Sequence, residues 1–162
     1  MLVRQPQQSD MCSFLALVRR SRSLHHPWVA APDTPAKFRA YLQRMEPPGN
    51  FAFLVCRKSD HAIVGVVNIS NIVRGVFQSG YLSYYAFTGY EGQGYMKHGL
   101  RSVIRQAFKV LKLHRLEANI QPGNSASRAL VLACGFQQEG FSPRYLKIGG
   151  RWRDHERWAL LA

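Results

Sequence analysis

The sequence predicts a single mixed α/β domain, and three observations support this fold class. Segments rich in aromatic and aliphatic residues, typical of strands, lie in the middle of the chain at 51–57, 62–69 and 78–87. Residues 95–113 carry apolar side chains at the three- or four-residue spacing of one helix face. Residues 115–121 alternate strictly between apolar and polar side chains, as a half-buried strand does. Helices and strands in this order pack as a mixed sheet covered by helices.

The first fifty residues are predicted to form a short edge strand and two helices. The strand covers 2–4, and the first helix, capped by Ser9 or Asp10, ends at a proline-containing loop over 23–32. The second helix is capped by Thr34, has proline at its first position, and ends about ten residues later.

The last forty residues are predicted to form a short helix and two strands. Pro122-Gly123 ends the alternating strand, and Asn124 caps a helix that ends at Gly135. Two strands follow over 136–148 and 152–161, joined by a pair of glycines.

The length and composition fit one globular domain over residues 1–162. The chain has 162 residues, 46% of them hydrophobic, and a domain of this size buries roughly 70% of the surface of its unfolded chain. No apolar stretch approaches the ~18 residues of a membrane span, and the run Phe14–Val18 is too short for a signal peptide. We therefore expect a cytoplasmic protein without membrane association.

The three cysteines and the charge limit the classes of partner. Cys12, Cys56 and Cys134 are widely spaced, so we expect three small buried hydrophobic side chains and no metal or redox site. The formal net charge of +13 favours an anionic partner, which includes nucleic acid, the ribosome, an acidic protein or a phosphorylated cofactor. Charge alone does not choose among them.

A glycine-rich turn at 89–94 lies between a predicted strand and a predicted helix, where free amides and the helix dipole favour an anion. Gly92 and Gly94 allow a pyrophosphate to approach the backbone closely. The dinucleotide-binding motif is excluded because Lys97 stands where it needs glycine, and the Walker A motif is excluded because Tyr95-Met96 follows the last glycine. A turn that needs glycine only for its dihedral angles is the alternative.

Positive charges recur along the following helix at Lys97, Arg101, Arg105 and Lys109, and no acidic residue lies between positions 91 and 117. Like charges four residues apart repel by a few tenths of a kcal/mol per pair, a cost that a bound polyanion offsets. Lys97, His98 and Arg101 are therefore candidates for cofactor phosphates. A solvated basic helix face is the competing interpretation.

Four motifs resemble the GNAT superfamily, and in particular the RimJ/RimL-like ribosomal-protein-alanine N-acetyltransferases. The segment 91–96 is similar to the GNAT pyrophosphate motif, although Glu91 and Met96 depart from it. Residues 122–127 resemble the P-x-N-x-x-S segment of the group, 135–140 resemble G-F-x-x-E-G, and 145–155 resemble the Y-L-x-x-x-G-x-W-x-D-H close.

The resemblance implies an acetyl-CoA-dependent N-acetyltransferase with a single GNAT-type domain. It implies a mostly antiparallel mixed sheet with helices on both faces, in which two parallel strands, 78–87 and 115–121, the fourth and fifth of the chain, splay apart. Acetyl-CoA is expected in that cleft, with an amide at Ala86 or Phe87 stabilising the oxyanion. No metal is expected. The implied cofactor-binding residues are Tyr85, Ala86, Phe87, Glu91, Gly92, Gln93, Gly94, Tyr95, Met96, Lys97, Asn124 and Arg128.

The candidate catalytic residues are Ser127, which the resemblance implies, and Glu117 and Tyr145, which are proposed from their places in the sequence because Arg144 stands where related chains often carry an acid. Ser127 is the candidate proton donor to the leaving thiolate, or else makes a hydrogen bond within the helix cap. Glu117 is the candidate base acting through water, or else forms an ion pair with Arg115 or Lys147. Tyr145 is a further candidate, although an aromatic residue on a central strand is usually part of the core.

The expected acceptor is a primary amine, foremost the α-amine at a protein N terminus. Few carboxylates are present, which disfavours a polyamine, whereas a small amine stays an alternative. A non-catalytic module that binds RNA or the ribosome on the same fold is a further alternative. Association with the ribosome, and the choice between monomer and homodimer, are left open by the sequence.

Overall fold

A computed structural model describes all residues from 1 to 162 as a seven-stranded sheet flanked by helices. The strands are β1 Leu2–Arg4, β2 Phe51–Cys56, β3 Ile63–Val73, β4 Ser79–Ala86, β5 Arg115–Ile120, β6 Gln137–Ile148 and β7 Arg151–Leu161. The helices are α1 Met11–Arg20, α2 Arg22–His25, α3 Pro35–Arg44, α4 Tyr95–Lys109 and α5 Ser125–Ala133, with one 3₁₀ turn at Gln8–Asp10. None of these helices has both the length and the apolar character needed to cross a bilayer.

The strand order is β1-β2-β3-β4-β5-β7-β6, and every neighbouring pair is antiparallel except β4 and β5. The parallel pairing begins at Ser79 opposite Arg115 and stops at Leu82 opposite Ala118. Both strands continue beyond this point without pairing to each other. The predicted fold class is therefore confirmed, with its parallel fourth and fifth strands.

Two apolar cores lie on opposite faces of the sheet because successive side chains of each strand point to opposite sides. Along β2, Phe53 and Val55 pack with α4 and α5, whereas Leu54 and Cys56 pack with α1 and α3. The prediction of helices on both faces of the sheet is therefore confirmed.

Most predicted element boundaries agree with the structure, and the exceptions have local causes. The helix predicted over 95–113 ends at Lys109, because Lys112 adopts a left-handed backbone conformation with φ of 55°. The strand predicted to end at 69 continues to Val73, which pairs with Ser79 after an irregularity in the register. Part of the loop predicted at 23–32 is a helical turn, Arg22–His25.

The expectation that all three cysteines are buried is wrong for Cys12, which is exposed. The buried side chains of α1 are Phe14, Leu15 and Val18, and position 12, in the first turn of the helix, lies outside this buried face. Cys56 is buried and Cys134 is half-buried.

The long helix α4 lies close to the sheet because Gly99 faces Val55 of β2. A Cβ atom at position 99 would lie 2.5 Å from Cγ1 and 2.6 Å from Cγ2 of Val55. Val55 is fully buried and β-branched, so its side chain has little freedom to move away. This contact fixes the height of α4 above the sheet, and with it the position of the helix N terminus beside the end of β4.

Replacing Gly99 with valine is expected to destabilise the fold by overpacking this contact. We expect Gly99→Val to lower the free energy of unfolding by about 1–3 kcal/mol in urea titrations. Gly49→Val is the matched control, since a Cβ at position 49 has no neighbour within 4 Å. Equal unfolding free energies for the two variants would show that α4 does not depend on close approach at Gly99.

Candidate active site

The separation of β4 from β5 opens a cavity of about 1070 Å³. Its walls come from the ends of β4 and β5, from one side of α5, from residues 24–30 beyond α1, and from residues 145–149 of the β6–β7 hairpin. The glycine-rich turn closes one end and the β6–β7 hairpin borders the other. The cavity therefore connects the predicted anion site with a second part, called here the open compartment, which is bordered by residues 145–149 and His155.

The glycine-rich turn presents unpaired amides to this cavity. Gly89, Gly92 and Gly94 have φ of 94°, 73° and 77°, a region that favours glycine. The amides of residues 92–97 donate to no acceptor within the protein. They include the first amides of α4, which a helix leaves unbonded and which carry the positive end of its dipole. The turn has the geometry of a site for a phosphorylated ligand.

The free edge of β4 is formed by alternate residues. The Phe87 amide donates to the Val64 carbonyl at 2.9 Å, so that this amide faces β3 and is already satisfied. Residues of an antiparallel strand bond to a given neighbour alternately, so Tyr85 also faces β3, whereas the backbone of Tyr84 and Ala86 faces the cavity. The predicted alternative of Phe87 as oxyanion donor is therefore wrong, and Ala86 keeps that position.

Tyr84, which no sequence motif indicated, shares a hydrogen bond with the candidate proton donor Ser127. The two hydroxyl oxygens lie 2.7 Å apart, and both side chains line the cavity. Burial raises the pKa of the Tyr84 phenol well above its usual range, so the phenol keeps its proton at neutral pH. Asn124 caps α5 by accepting from the Ser127 amide at 3.1 Å, and this cap orients the serine.

His25 is a second cavity residue that no sequence motif indicated. It is buried, lines the cavity, and lies with Nε2 2.8 Å from the Ala86 carbonyl oxygen. Since a carbonyl only accepts, His25 Nε2 carries the proton in this bond. Burial lowers the pKa of His25, which keeps the ring neutral at neutral pH. The ring holds the end of β4 in place beside the Ala86 amide.

Glu117, the predicted base, does not line the cavity. Its Oε1 accepts from Arg115 Nε at 2.7 Å, and Arg115 also pairs with Glu139. This position favours the structural alternative that the sequence allowed, an ion pair with Arg115. No carboxylate of β5 faces the expected position of the reacting groups.

Tyr145 lines the open compartment of the cavity, together with His155. It is 36% exposed and lies on β6, at the edge of the sheet, so the expectation of a core aromatic is wrong. Its ring centroid is 6.3 Å from that of the buried His155, whose Nδ1 donates to the Arg153 carbonyl at 2.9 Å. The two rings thus line the open compartment side by side.

The structure brings most of the predicted cofactor-binding residues to the cavity, but not all of them. The predicted residues that line it are Tyr85, Ala86, Glu91, Gly92, Gly94, Met96, Lys97 and Asn124. Phe87 is fully buried, and the side chain of Gln93 donates to the Gly89 carbonyl. Tyr95 and Arg128 do not line the cavity either. Arg128 Nε lies 3.1 Å from Glu156 Oε2, with which it forms an ion pair.

The basic residues at the start of α4 also divide into two groups. Lys97 lines the cavity, whereas His98 and Arg101 do not. Arg101 Nη2 donates to the Ala133 carbonyl at 2.8 Å, so its side chain ties α4 to the end of α5. A phosphate contact therefore stays a prediction for Lys97, while the side chain of Arg101 is held outside the cavity.

Glu91 is the single carboxylate among the residues that line the cavity. It lies in the glycine-rich turn, where its Oε2 accepts from the Gly89 amide at 2.6 Å. Backbone hydrogen bonds hold the pKa of this carboxyl below its usual range. The open compartment has no carboxylate, and Lys147 adds a positive charge to it.

Comparisons with known proteins agree with this geometry. The sequence matches the Acetyltransferase (GNAT) domain family over residues 1–137. It is 39% identical over 110 residues to the ribosomal protein uS5-alanine N-acetyltransferase of Escherichia coli, an alignment that covers 68% of this chain and 57% of that relative. The chain thus spans less than two thirds of the relative's length.

Solved structures share the whole fold. The ribosomal-protein-S5-alanine acetyltransferase of Vibrio fischeri superposes with a TM-score of 0.85 at 30% identity, covering 98% of this chain and 91% of that chain. A spermidine N-acetyltransferase of Vibrio cholerae, solved with CoA and spermine, has a TM-score of 0.83 at 20% identity, covering 99% and 94%. The motifs, the splayed strands and these matches together show that the chain belongs to the GNAT family of N-acetyltransferases.

Proposed function

We propose that this protein transfers the acetyl group of acetyl-CoA to the α-amine at the N terminus of a protein. One observation carries the proposal. A single cavity joins the unpaired amides of residues 92–97, the free backbone edge at Tyr84 and Ala86, and a compartment without carboxylates. These parts match a diphosphate, an amide-containing arm and an uncharged amine in that order.

The glycine-rich turn is the proposed pyrophosphate site. Six consecutive amides without acceptors offer the donors that a diphosphate needs, and Lys97 adds a positive charge on the cavity side. The backbone of Tyr84 and Ala86 offers the hydrogen bonds of an unpaired strand edge, which an extended pantetheine arm with two amides can use. Acetyl-CoA, when bound, supplies an activated acyl thioester.

The Ala86 amide is the proposed donor to the thioester carbonyl oxygen. It faces the cavity, and the hydrogen bond from His25 to the Ala86 carbonyl restrains the strand at this residue. A fixed donor at the place where negative charge develops stabilises the transition state, because it needs no reorientation during the reaction.

The hydroxyl pair of Tyr84 and Ser127 is the proposed source of the proton for the departing sulfur. The two groups lie 2.7 Å apart, and the raised pKa of Tyr84 keeps the phenol protonated until the sulfur departs. As the amine nitrogen bonds to the acetyl carbon and the carbon–sulfur bond breaks, one hydroxyl donates its proton to sulfur. The amine releases its proton to water, and the hydroxyl then regains a proton from water. The products are then an amide and a thiol.

The compartment favours an α-amine over a lysine side chain or a polyamine. With a pKa near 7.7–8.0, about a third of α-amines are neutral at pH 7.5, against about one in a thousand lysine amines with a pKa near 10.4. An enzyme without a carboxylate near the acceptor gains from this difference, since a nucleophile that is already neutral needs little help from a base. A polyamine would also lack a counter-charge there.

The names of the relatives support the same acceptor. The Escherichia coli and Vibrio fischeri relatives are named for the alanine of a ribosomal protein. A small uncharged amine is the second candidate, because the compartment's apolar and aromatic wall also suits it.

The acceptor is tested by release of CoA thiol from acetyl-CoA with three matched acceptors. A peptide with a free N-terminal alanine is expected to give at least tenfold higher kcat/KM than spermidine. The same peptide with a blocked α-amine and one internal lysine is expected to give no release above background. Acetylation of the blocked peptide, or a higher kcat/KM for spermidine, would contradict the proposed acceptor. If none of the three acceptors releases CoA thiol above background, transferase activity on such amines is contradicted.

The role of the hydroxyl pair is tested by Tyr84→Phe. Loss of a positioned proton donor is expected to lower kcat by about 100-fold, with the KM for acetyl-CoA nearly unchanged. Tyr85→Phe is the matched control, because the neighbouring Tyr85 hydroxyl is buried without a hydrogen-bond partner. Equal kcat values for the two variants would exclude Tyr84 from proton transfer.

A further inference from the structure

The β3–β4 loop exposes apolar side chains at the end of the sheet remote from the glycine-rich turn. Val76 is 99% exposed and Phe77 is 66% exposed. The loop lies at the start of β4 and the turn lies after its end, and eight residues of strand separate them by about 25 Å. Neither Val76 nor Phe77 lines the cavity, so the proposed transfer reaction leaves them unexplained.

The loop packs against the segment that joins α4 to β5. Arg74 Nη1 donates to the Leu111 carbonyl, and the Gln78 carbonyl accepts from the His114 and Arg115 amides at 2.7 and 3.2 Å. Residues 74–78 and 109–114 thus form one surface, called here the basic tip. Its exposed members are Arg74, Gly75, Val76, Phe77, Lys109, Val110, Lys112 and His114.

The basic tip itself contains no aspartate or glutamate side chain. Residues 61–90 and 92–116 contain no aspartate or glutamate. The nearest carboxylates along the chain after this span, Glu117 and Glu139, are both paired with Arg115. Arg105 extends the positive charge of the tip along the exposed side of α4. The positive potential here is therefore available to an external polyanion.

We propose that the basic tip binds single-stranded or looped RNA. An exposed aromatic ring within a cationic surface is the combination that such RNA uses, since bases stack on the ring while phosphates contact lysine and arginine. The alternative occupant, a second copy of this chain, is opposed by a net charge of +13 on each copy. Double-stranded RNA is disfavoured because its bases are already stacked.

Fluorescence anisotropy with a labelled single-stranded RNA of about 12 nucleotides tests the proposal, a length in the range of single-stranded sites. The measurement uses the full chain with saturating acetyl-CoA, so that the glycine-rich turn does not compete for phosphate. Phe77→Ala is expected to weaken binding about tenfold, because bases can no longer stack on the ring. The affinity for acetyl-CoA is expected to stay unchanged.

Two double variants that remove the same charge test whether the positive charge acts locally. Lys109→Gln with Lys112→Gln is expected to weaken RNA binding and to reduce the salt slope by about 0.7 for each phosphate that the variant no longer binds. Arg19→Gln with Arg20→Gln on α1, also exposed, is expected to have a much smaller effect.

Three outcomes would overturn the proposal. Phe77→Ala could bind RNA with the affinity of the unmodified protein, or the two double variants could weaken binding equally, which would reveal attraction by net charge alone. Sedimentation could instead show a dimer that Phe77→Ser dissociates, which would assign the basic tip to a second copy of the chain.

Discussion

The separation of β4 from β5 is the constraint on which the rest of the site depends. Parallel pairing stops at Leu82 and Ala118, so the backbone groups of Tyr84 and the amide of Ala86 lack the partners that a continuous sheet would provide, whereas the Ala86 carbonyl accepts from His25. Unpaired backbone groups are costly when buried, and they persist here because they face a cavity. A ligand with amides of its own can satisfy them. The opening of the sheet thus creates both the space and the recognition edge.

The parts around this opening come from distant segments, and each is held by its own contacts. The close packing of Gly99 on Val55 sets the position of α4, whose free N-terminal amides border one end of the cavity. The Asn124 cap orients Ser127 at the start of α5, opposite the Tyr84 phenol. His25 secures the last residue of β4. The groups proposed for binding and proton transfer are therefore positioned by helix ends, one strand edge and the glycine-rich turn.

The sequence predicted the elements and the glycine-rich turn well, because hydrophobic periodicity and glycine position are local properties. It could not distinguish Ala86 from Phe87 as the free amide, since alternation along a strand shows which residues share an edge but not which neighbour that edge faces. Tyr84 was missed because its partner Ser127 lies 43 residues away along the chain, and a contact between distant residues leaves no local sequence pattern. His25 was missed because it lies in a predicted loop. Glu117 was overvalued, since its pairing with Arg115 depends on side-chain geometry.

Calorimetry with acetyl-CoA on Gly94→Val and Gly75→Val tests most directly whether the amides beside the splayed strands hold the diphosphate. Both glycines have positive φ, 77° and 67°, and a Cβ at either position meets no atom within 4 Å, so the two substitutions impose similar backbone strain. Gly94→Val is expected to weaken acetyl-CoA binding at least tenfold, while Gly75→Val keeps the affinity of the unmodified protein. Unchanged affinity in both variants, or an equal loss in both, would contradict the assignment.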